Sequence, residues 1–558
     1  MVSKFISFFN KEINGVHQAA FTLAVFAILS QLLGLFRDRL LASVFGAGKE
    51  LDIYYAAFRI PDFLFVTIGS LVSASVIIPF LVDRLNNDFQ KGKDFLSSIF
   101  SFFLVVIVGA GVLIFFTAPF LLSVLFPGFS ELSAEKLITL TRVMLLSPIL
   151  LGISGLYSSI MQTHNRFFVY AVSPLLYNAG IILGIVLLVP ALGLVGLAWG
   201  VALGALLHFL IQVQFVAKTK LIPRFVFNPD WQIIKKVALL SVPRTLSLSF
   251  HHIAVLILLA SASLMAVGSI SIFSLSFNLQ SVPLSIIGVS YSLAAFPTLS
   301  RLYSSGEVQK FLGQIVLSAR HIIFWSIPFT VIFIVLRAHI VRVVLGAGQF
   351  DWTDTRLAAA AVALFSFSLV FNGLVLLFTR GFYAMGKTKI PFITGLVSAA
   401  VIILSSWLLG LAFSNIPTFQ YFIEVLFKVS DISGTEILML PLGFSIGVII
   451  NGLILWSVFK KQFGRLPGSI GDTLFQSLSA SIIMGFIIFV SLRLLDNFIT
   501  LDTFWGVLTQ GLLSGIIGII AGIVMLRVLN NREISEIWKT LHQKFWKSKV
   551  IGPDPEVT

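Results

Sequence analysis

Apolar runs of about twenty residues recur along the whole chain, separated by short polar stretches. Twenty helical residues span roughly the 30 Å of a bilayer's hydrocarbon core, so each run predicts a membrane-crossing helix rather than a barrel strand. Fourteen spans are read, beginning near residues 17, 53, 94, 137, 167, 193, 238, 270, 312, 357, 390, 437, 471 and 504. The expected class is an all-α polytopic membrane protein.

Alternate loops collect the basic residues: Lys4 and Lys11, then Arg84, Lys91 and Lys93, then Arg166, then Lys218 to Lys236. The series continues with Arg301 and Lys310, Arg380 to Lys389, and Lys460 to Arg465. By the positive-inside rule these loops are cytoplasmic. An even number of spans then puts both termini on that side of a bacterial plasma membrane. The stretch "NREISEIWKTLHQKFWKSKV" sets Ile534, Ile537, Trp538, Leu541 and Phe545 at helical spacing opposite Arg532, Lys539, Lys544 and Lys547. That pattern predicts an amphipathic helix on the inner leaflet.

Composition excludes a soluble fold, because 57% of residues are apolar, 55 are Phe and only 11% are charged. The formal charge of +14 is spread along one membrane face. It suits orientation and contact with anionic lipid, not nucleic acid. With no cysteine there is no thiolate metal site and no disulfide framework. No phosphate loop, zinc spacing or nucleophile–base pair appears, so neither enzyme, metal nor cofactor is expected. The first span is too long, and lacks the small-residue cleavage site, for a removed signal peptide; it is expected to stay.

The chain also repeats. "SVLFPGFSELSAEKL" lies over "RVVLGAGQFDWTDTRL", matching Leu125 with Leu345 and Gly128 with Gly348 at an offset of about 220. A similar offset carries "VIIPFLVDRL", with Pro79, onto "LAAFPTLSRL", with Pro297. Two six-helix lobes are therefore expected, 1–220 and 221–462, related by an axis along the membrane normal. Residues 463–529 add two helices, nearly devoid of charge and suited to a lipid-tail groove, and 530–558 form the cytoplasmic tail.

Against this apolar background the charges inside the first two spans stand out. One Arg or Asp at mid-bilayer costs roughly 2.5 to 3.5 kcal/mol on insertion scales, so such groups belong on a wet cavity or in a pair. At about 100° per residue, Gln31, Gly34 and Asp38 share a stripe, with Arg37 about 60° from Gly34 and Arg39 about 140° away. Arg37 and Asp38 are expected to line the cavity, and Arg39 to snorkel to the interface. In "LDIYYAAFRIPDFL", Asp52 and Arg59 lie two turns apart on one face, just before the ladder-breaking Pro61. The bland alternative is an ion pair that only fastens the two helices. Arg244 fits lipid phosphate as well as substrate. Asn278 suits either the cavity's far wall or a helix–helix hydrogen bond, and His251 and His252 are read as packing groups.

"LLGLFRDRLLASVFGAGKELDIYYAAFRIPDFL" resembles the first-helix signature of the MurJ (MviN) lipid II flippases, within the multidrug/oligosaccharidyl-lipid/polysaccharide exporter superfamily. "MQTHNRFFVYAVSPLLYN", "LAAFPTLS", "GAGQFDWTDTRLAAAAVALFSFSL" and "RGFYAMGKTKIPF" extend the likeness in order along nearly the whole chain. The resemblance implies a flippase that moves a polyprenyl-pyrophosphate-linked glycopeptide from the inner to the outer leaflet by alternating access, as a monomer in contact with membrane lipids. The coupling ion stays open. It carries family motif roles to Arg37, Asp38 and Asp52. Where such flippases place further cavity arginines, this chain has Gln31, Phe65 and Asn278, so either Arg59 and Arg244 supply the positive charge or the substrate differs. Rival readings are an exporter of another polyprenyl-linked glycan, a multidrug/sodium antiporter of the same superfamily, or a membrane glycosyltransferase. The last needs an acidic metal or base constellation on an extracytoplasmic loop, where the first such loop offers only Asp38 and Asp52 among arginines and no large outer domain.

Overall fold

The computed structural model describes residues 16–72, 74–164, 166–464 and 470–535. The early Lys4 and Lys11, Arg465 and most of the amphipathic tail lie outside the described residues. Among those described, all regular elements are helical.

In chain order the helices are α1 (Val16–Phe45), α2 (Lys49–Ile68), α3 (Ala74–Asn87), α4 (Phe89–Leu125), α5 (Glu131–Met144), α6 (Leu146–Thr163), α7 (Phe167–Leu183), α8 (Leu194–Lys218), α9 (Trp231–Ala262) and α10 (Ser269–Leu284). There follow α11 (Ser290–Ser304), α12 (Val308–Val335), α13 (Arg337–Val344), α14 (Trp352–Ser366), α15 (Leu369–Ala384), α16 (Lys389–Asn415), α17 (Pro417–Phe427), α18 (Met439–Phe463), α19 (Ile470–Leu495) and α20 (Phe504–Val528).

Among the described residues, ten helical segments are long and apolar enough to cross a membrane, or eleven when α14 and α15, bent by 44°, count as one. The sequence reading of fourteen adds α1, α2 and α9. These are helices of 30, 20 and 32 residues. Each holds charged residues: Arg37, Asp38 and Arg39 in α1, Asp52, Arg59 and Asp62 in α2, and Lys235 and Lys236 in α9. The charged helices are the ones that build the site below.

Several spans are broken midway, and the breaks explain themselves. A 3₁₀ turn at Gly69–Val72 separates α2 from α3, and a π turn at Ser285–Val289 separates α10 from α11. Pro79 and Pro297 sit inside α3 and α11, where each removes one backbone donor. Leu145 joins α5 to α6 in helical conformation, as the bend joins α14 to α15.

The chain packs as two compact units. The first comprises the described part of Met1–Val282 with Val344–Phe365 and Lys387–Asn451; the second comprises Pro283–Val343, Ser366–Gly386 and the described part of Gly452–Thr558. In the first, Phe95, Phe103, Leu156, Ile160 and Val216 from α4, α6 and α8 form one apolar core. A second aromatic knot sets Phe273, Phe277, Phe365 and Phe444 edge to face at 5.2 to 5.5 Å. In the loop after α17, Asp431 accepts hydrogen bonds from Arg356, which hold its carboxyl below the usual carboxylate range.

In the second unit, Phe378 and Phe382 pack against Phe459 at 5.5 and 5.7 Å. The residues after α20 are fastened by Glu533, whose buried carboxylate pairs with Arg320 at 2.7 Å and accepts from Thr473 at 3.0 Å. Helices α19 and α20 meet closely where Gly518 of α20 lies against Ile488.

Two turns of the first unit are fixed by glycine. Gly128, after α4, faces the carbonyl of Ser263 at the end of α9, where an added methyl would lie 1.7 Å from the oxygen. Gly348, with φ +55°, faces the carbonyl of Ser43 in α1, and its methyl would lie 2.2 Å away. Both are closer than any real carbon contact, and the second adds left-handed backbone strain. Gly128→Ala and Gly348→Ala should each lower the thermal transition of the detergent-purified protein, by about 1 to 3 kcal/mol of stability. Gly109→Ala, inside α4 with open space around it, should not lower that transition.

Candidate functional site

A cavity of about 250 Å³ lies inside the first unit, walled by α1, α2, α9 and α10. Its polar lining is Arg37, Tyr54, Tyr55, Arg59, Asp62, His251, His252 and Asn278.

The adjacent Arg37 and Asp38 point about 100° apart on an ideal helix. The longer arginine therefore folds back, and its Nε and Nη2 donate to Asp38 Oδ1 at 3.0 and 2.7 Å. Arg37 Nη1 donates to Asn178 Oδ1 of α7 at 3.0 Å. The second Asp38 oxygen accepts from Asn278 Nδ2 of α10 at 3.1 Å. Asp38 is only 3% exposed, so α1 and α10 meet on one buried carboxylate whose charge is matched, and Arg37 ties α7 to it.

Arg59, seven residues into α2 from Asp52, is held differently. Its Nη2 donates to Ser274 Oγ at 3.2 Å, and its buried Nε finds no hydrogen-bond partner among the described residues. The nearby Asp62 carboxylate lies 3.5 Å from His252 Nδ1 of α9. The cavity therefore offers two guanidinium groups and two carboxylates, with Arg59 the less satisfied cation.

The structure redistributes the residues that the sequence singled out. Arg37, Arg59 and Asn278 line the cavity together, and Asp38 lies behind them. Asp52 does not face Arg59. Its carboxylate caps the start of α10, accepting from Gly268 N at 2.6 Å, Ser271 N at 2.7 Å and Ser271 Oγ at 2.6 Å. The reason is that the first turn of a helix has free N–H donors, which hold a carboxylate acceptor at hydrogen-bond distance where Arg59 lies two turns away. Neither a cavity-facing Asp52 beside Arg59 nor an ion pair between the two is therefore what the carboxylate forms.

Arg39, expected to snorkel, donates to the carbonyl of Val344 at 3.4 Å. Gln31, half-buried two turns before Asp38, is not among the cavity-lining residues. Phe65 faces a separate small pocket with Met144, Pro148 and Tyr177. The Arg244 side chain lies outside the described residues.

Sequence reasoning passed over Asn178 and Asp62 and set His252 aside. Asp62 was readable as the i+3 neighbour of Arg59 on the same helix face. Asn178 ends the quoted "AVSPLLYN" stretch, but its partner lies 141 residues away. His251 does pack, its ring 5.6 Å from Phe444, although it also touches the cavity.

Comparison with known proteins follows the same lines. The family model "Lipid II flippase MurJ" matches residues 41–509, beginning just after the Arg37–Asp38 pair. The chain is 31% identical over 383 residues to the "Probable lipid II flippase MurJ" of Buchnera aphidicola subsp. Acyrthosiphon pisum, covering 66% of this chain and 73% of the relative. It is 26% identical to the "Lipid II flippase MurJ" of Burkholderia cenocepacia, covering 67% and 74%. Among solved structures, "Lipid II flippase MurJ, inward closed conformation" superposes with a TM-score of 0.71 at 22% identity, over 93% of this chain and 99% of that one. An inward-facing multidrug resistance MATE family transporter of the MOP superfamily superposes at 0.63 with 14% identity, over 80% and 100%. These likenesses establish a shared fold.

The capping role of Asp52 has a measurable consequence. Asp52→Ala should cost about 1 to 2 kcal/mol, read as a lowered thermal transition in detergent, because three donors at the start of α10 lose their acceptor. Asp52→Asn, which keeps one acceptor oxygen, should lose less.

Proposed function

The chain belongs to the lipid II flippase MurJ family, and from that premise we propose that Arg59, with Arg37 beside it, receives the substrate's pyrophosphate in the cavity between α2, α9 and α10. The protein is a lipid II flippase, a multi-pass membrane protein that serves peptidoglycan synthesis.

The observation that carries the site assignment is the unequal state of the two arginines. Asp38 already answers Arg37, whereas the buried Arg59 has a serine on one nitrogen and none on another. A buried cation of this kind gains most from an incoming anion, and a guanidinium matches phosphate oxygens in bidentate geometry. Asp62, held by His252, keeps the empty cavity near neutrality. The arginines missing at Gln31, Phe65 and Asn278 make Arg59 the principal anchor.

Outward movement by alternating access, with both termini cytoplasmic and the lobes 1–220 and 221–462 as moving parts, belongs to the same reading. It is supported by the matching breaks in the second and eighth spans and by the reciprocal docking of Gly128 on Ser263 and Gly348 on Ser43. An inside-negative potential favours outward transfer of an anionic headgroup by about 2.3 kcal/mol per charge per 100 mV, so no ATP site is required. Helices α19 and α20 of 463–529 are the candidates for holding the polyprenyl tail.

In a flippase-depleted bacterium, Arg59→Gln should fail to restore growth and should leave precursor in the inner leaflet, with the protein present at normal level. Arg59→Lys should restore part of the activity. Normal transport by Arg59→Gln would overturn the assignment. Arg37→Ala should also fail, with lowered thermal stability because Asp38 loses its partner, at about 3 to 5 kcal/mol. Arg39→Ala should transport nearly normally. A reporter fused after residue 558 and active only in the cytoplasm checks the orientation.

A further inference from the structure

The first unit also holds a cavity of about 510 Å³. It is lined by apolar side chains of α4, α5, α6 and α8, including Val112, Phe116, Ile149 and Trp199, and by a single charged residue, Arg142 of α5. Its volume is that of an ordinary ligand pocket.

Arg142 is inside a membrane span for a legible reason. Pro119 lies within α4 and has no N–H, so the carbonyl of Phe115, four residues earlier, has no helical donor. Arg142 Nε supplies it at 3.0 Å, and the guanidinium carbon lies 4.7 Å from the centre of the Phe115 ring. An orphan carbonyl in hydrocarbon is costly, and this contact removes the cost. One nitrogen of the guanidinium is enough for that repair. Among the described residues Arg142 has no carboxylate partner, and a full positive charge at the mouth of an apolar pocket in a bilayer calls for an anion. The side chain of a helical residue tilts toward its helix N-terminus, here the end at Glu131 that leads out of the span.

We infer that this cavity is a binding site for an anionic phospholipid, with an acyl chain between α4, α6 and α8 and the headgroup phosphate on the outer nitrogens of Arg142. An annular lipid would cover an apolar groove without regard to headgroup; a lipid held by Arg142 selects for negative charge.

Trp199 in the cavity wall reports occupancy directly. The full-length protein is reconstituted in vesicles that carry phosphatidylglycerol or phosphatidylcholine with brominated acyl chains. The Trp199 signal is taken as the difference between the wild type and Trp199→Phe. Brominated phosphatidylglycerol should reach half-maximal quenching at a mole fraction about fivefold lower than phosphatidylcholine, the discrimination expected of one basic residue. Arg142→Gln, which keeps a donor for the Phe115 carbonyl, should erase that difference, and Arg142→Lys should retain most of it. Gly111→Leu, placed where a new Cβ meets only Ile149 at 3.9 Å, should fill the pocket and lower quenching by both lipids. Equal quenching by the two lipids in the wild type, or a preference that survives Arg142→Gln, overturns the site. Quenching unchanged by Gly111→Leu overturns the placement of the chain.

Discussion

A charge placed in hydrocarbon needs a partner, and the arrangement of the first unit follows from meeting that need at a handful of positions. Asp38 is the centre of it. One carboxylate, almost wholly buried, gathers Arg37 from its own helix and Asn278 from α10, while Arg37 reaches on to Asn178 of α7. Three helices distant in sequence are thereby held at one point. The cavity opens where that network ends and the less satisfied Arg59 begins.

The same need shapes the backbone. Proline and π turns interrupt spans that length alone would make straight, and each freed carbonyl or amide must then find another partner. Arg142 serves the carbonyl left by Pro119, and Asp52 serves the free amides at the start of α10. Arg59 differs from both, since Ser274 takes one of its nitrogens and its Nε has no hydrogen-bond partner among the described residues.

The same balance shows in the cavity lining. Asn278 donates to Asp38, and the cavity sets Arg37 and Arg59 against the carboxylates of Asp38, just behind the wall, and Asp62. The cavity is thus balanced rather than strongly cationic.

The sequence by itself determined the class of the protein, the helical spans, the loop asymmetry, the internal repeat and the importance of the Arg37–Asp38 pair. Those features are local: apolar run length, helical spacing and the charges beside them are set by residues within a few turns of each other. It also placed Arg59 on the cavity. It did not separate the capping Asp52 from the cavity-facing Arg59, although both lie on one face of α2 two turns apart, because the cap's donors at Gly268 and Ser271 are more than 200 residues away. Asn178, the pairing of Asp62 with His252, and the carbonyl that Arg39 finds at Val344 were hidden for the same reason. Tertiary packing alone decided which charge is answered by a neighbour and which keeps an unused donor, since that depends on what distant helices bring within hydrogen-bond reach.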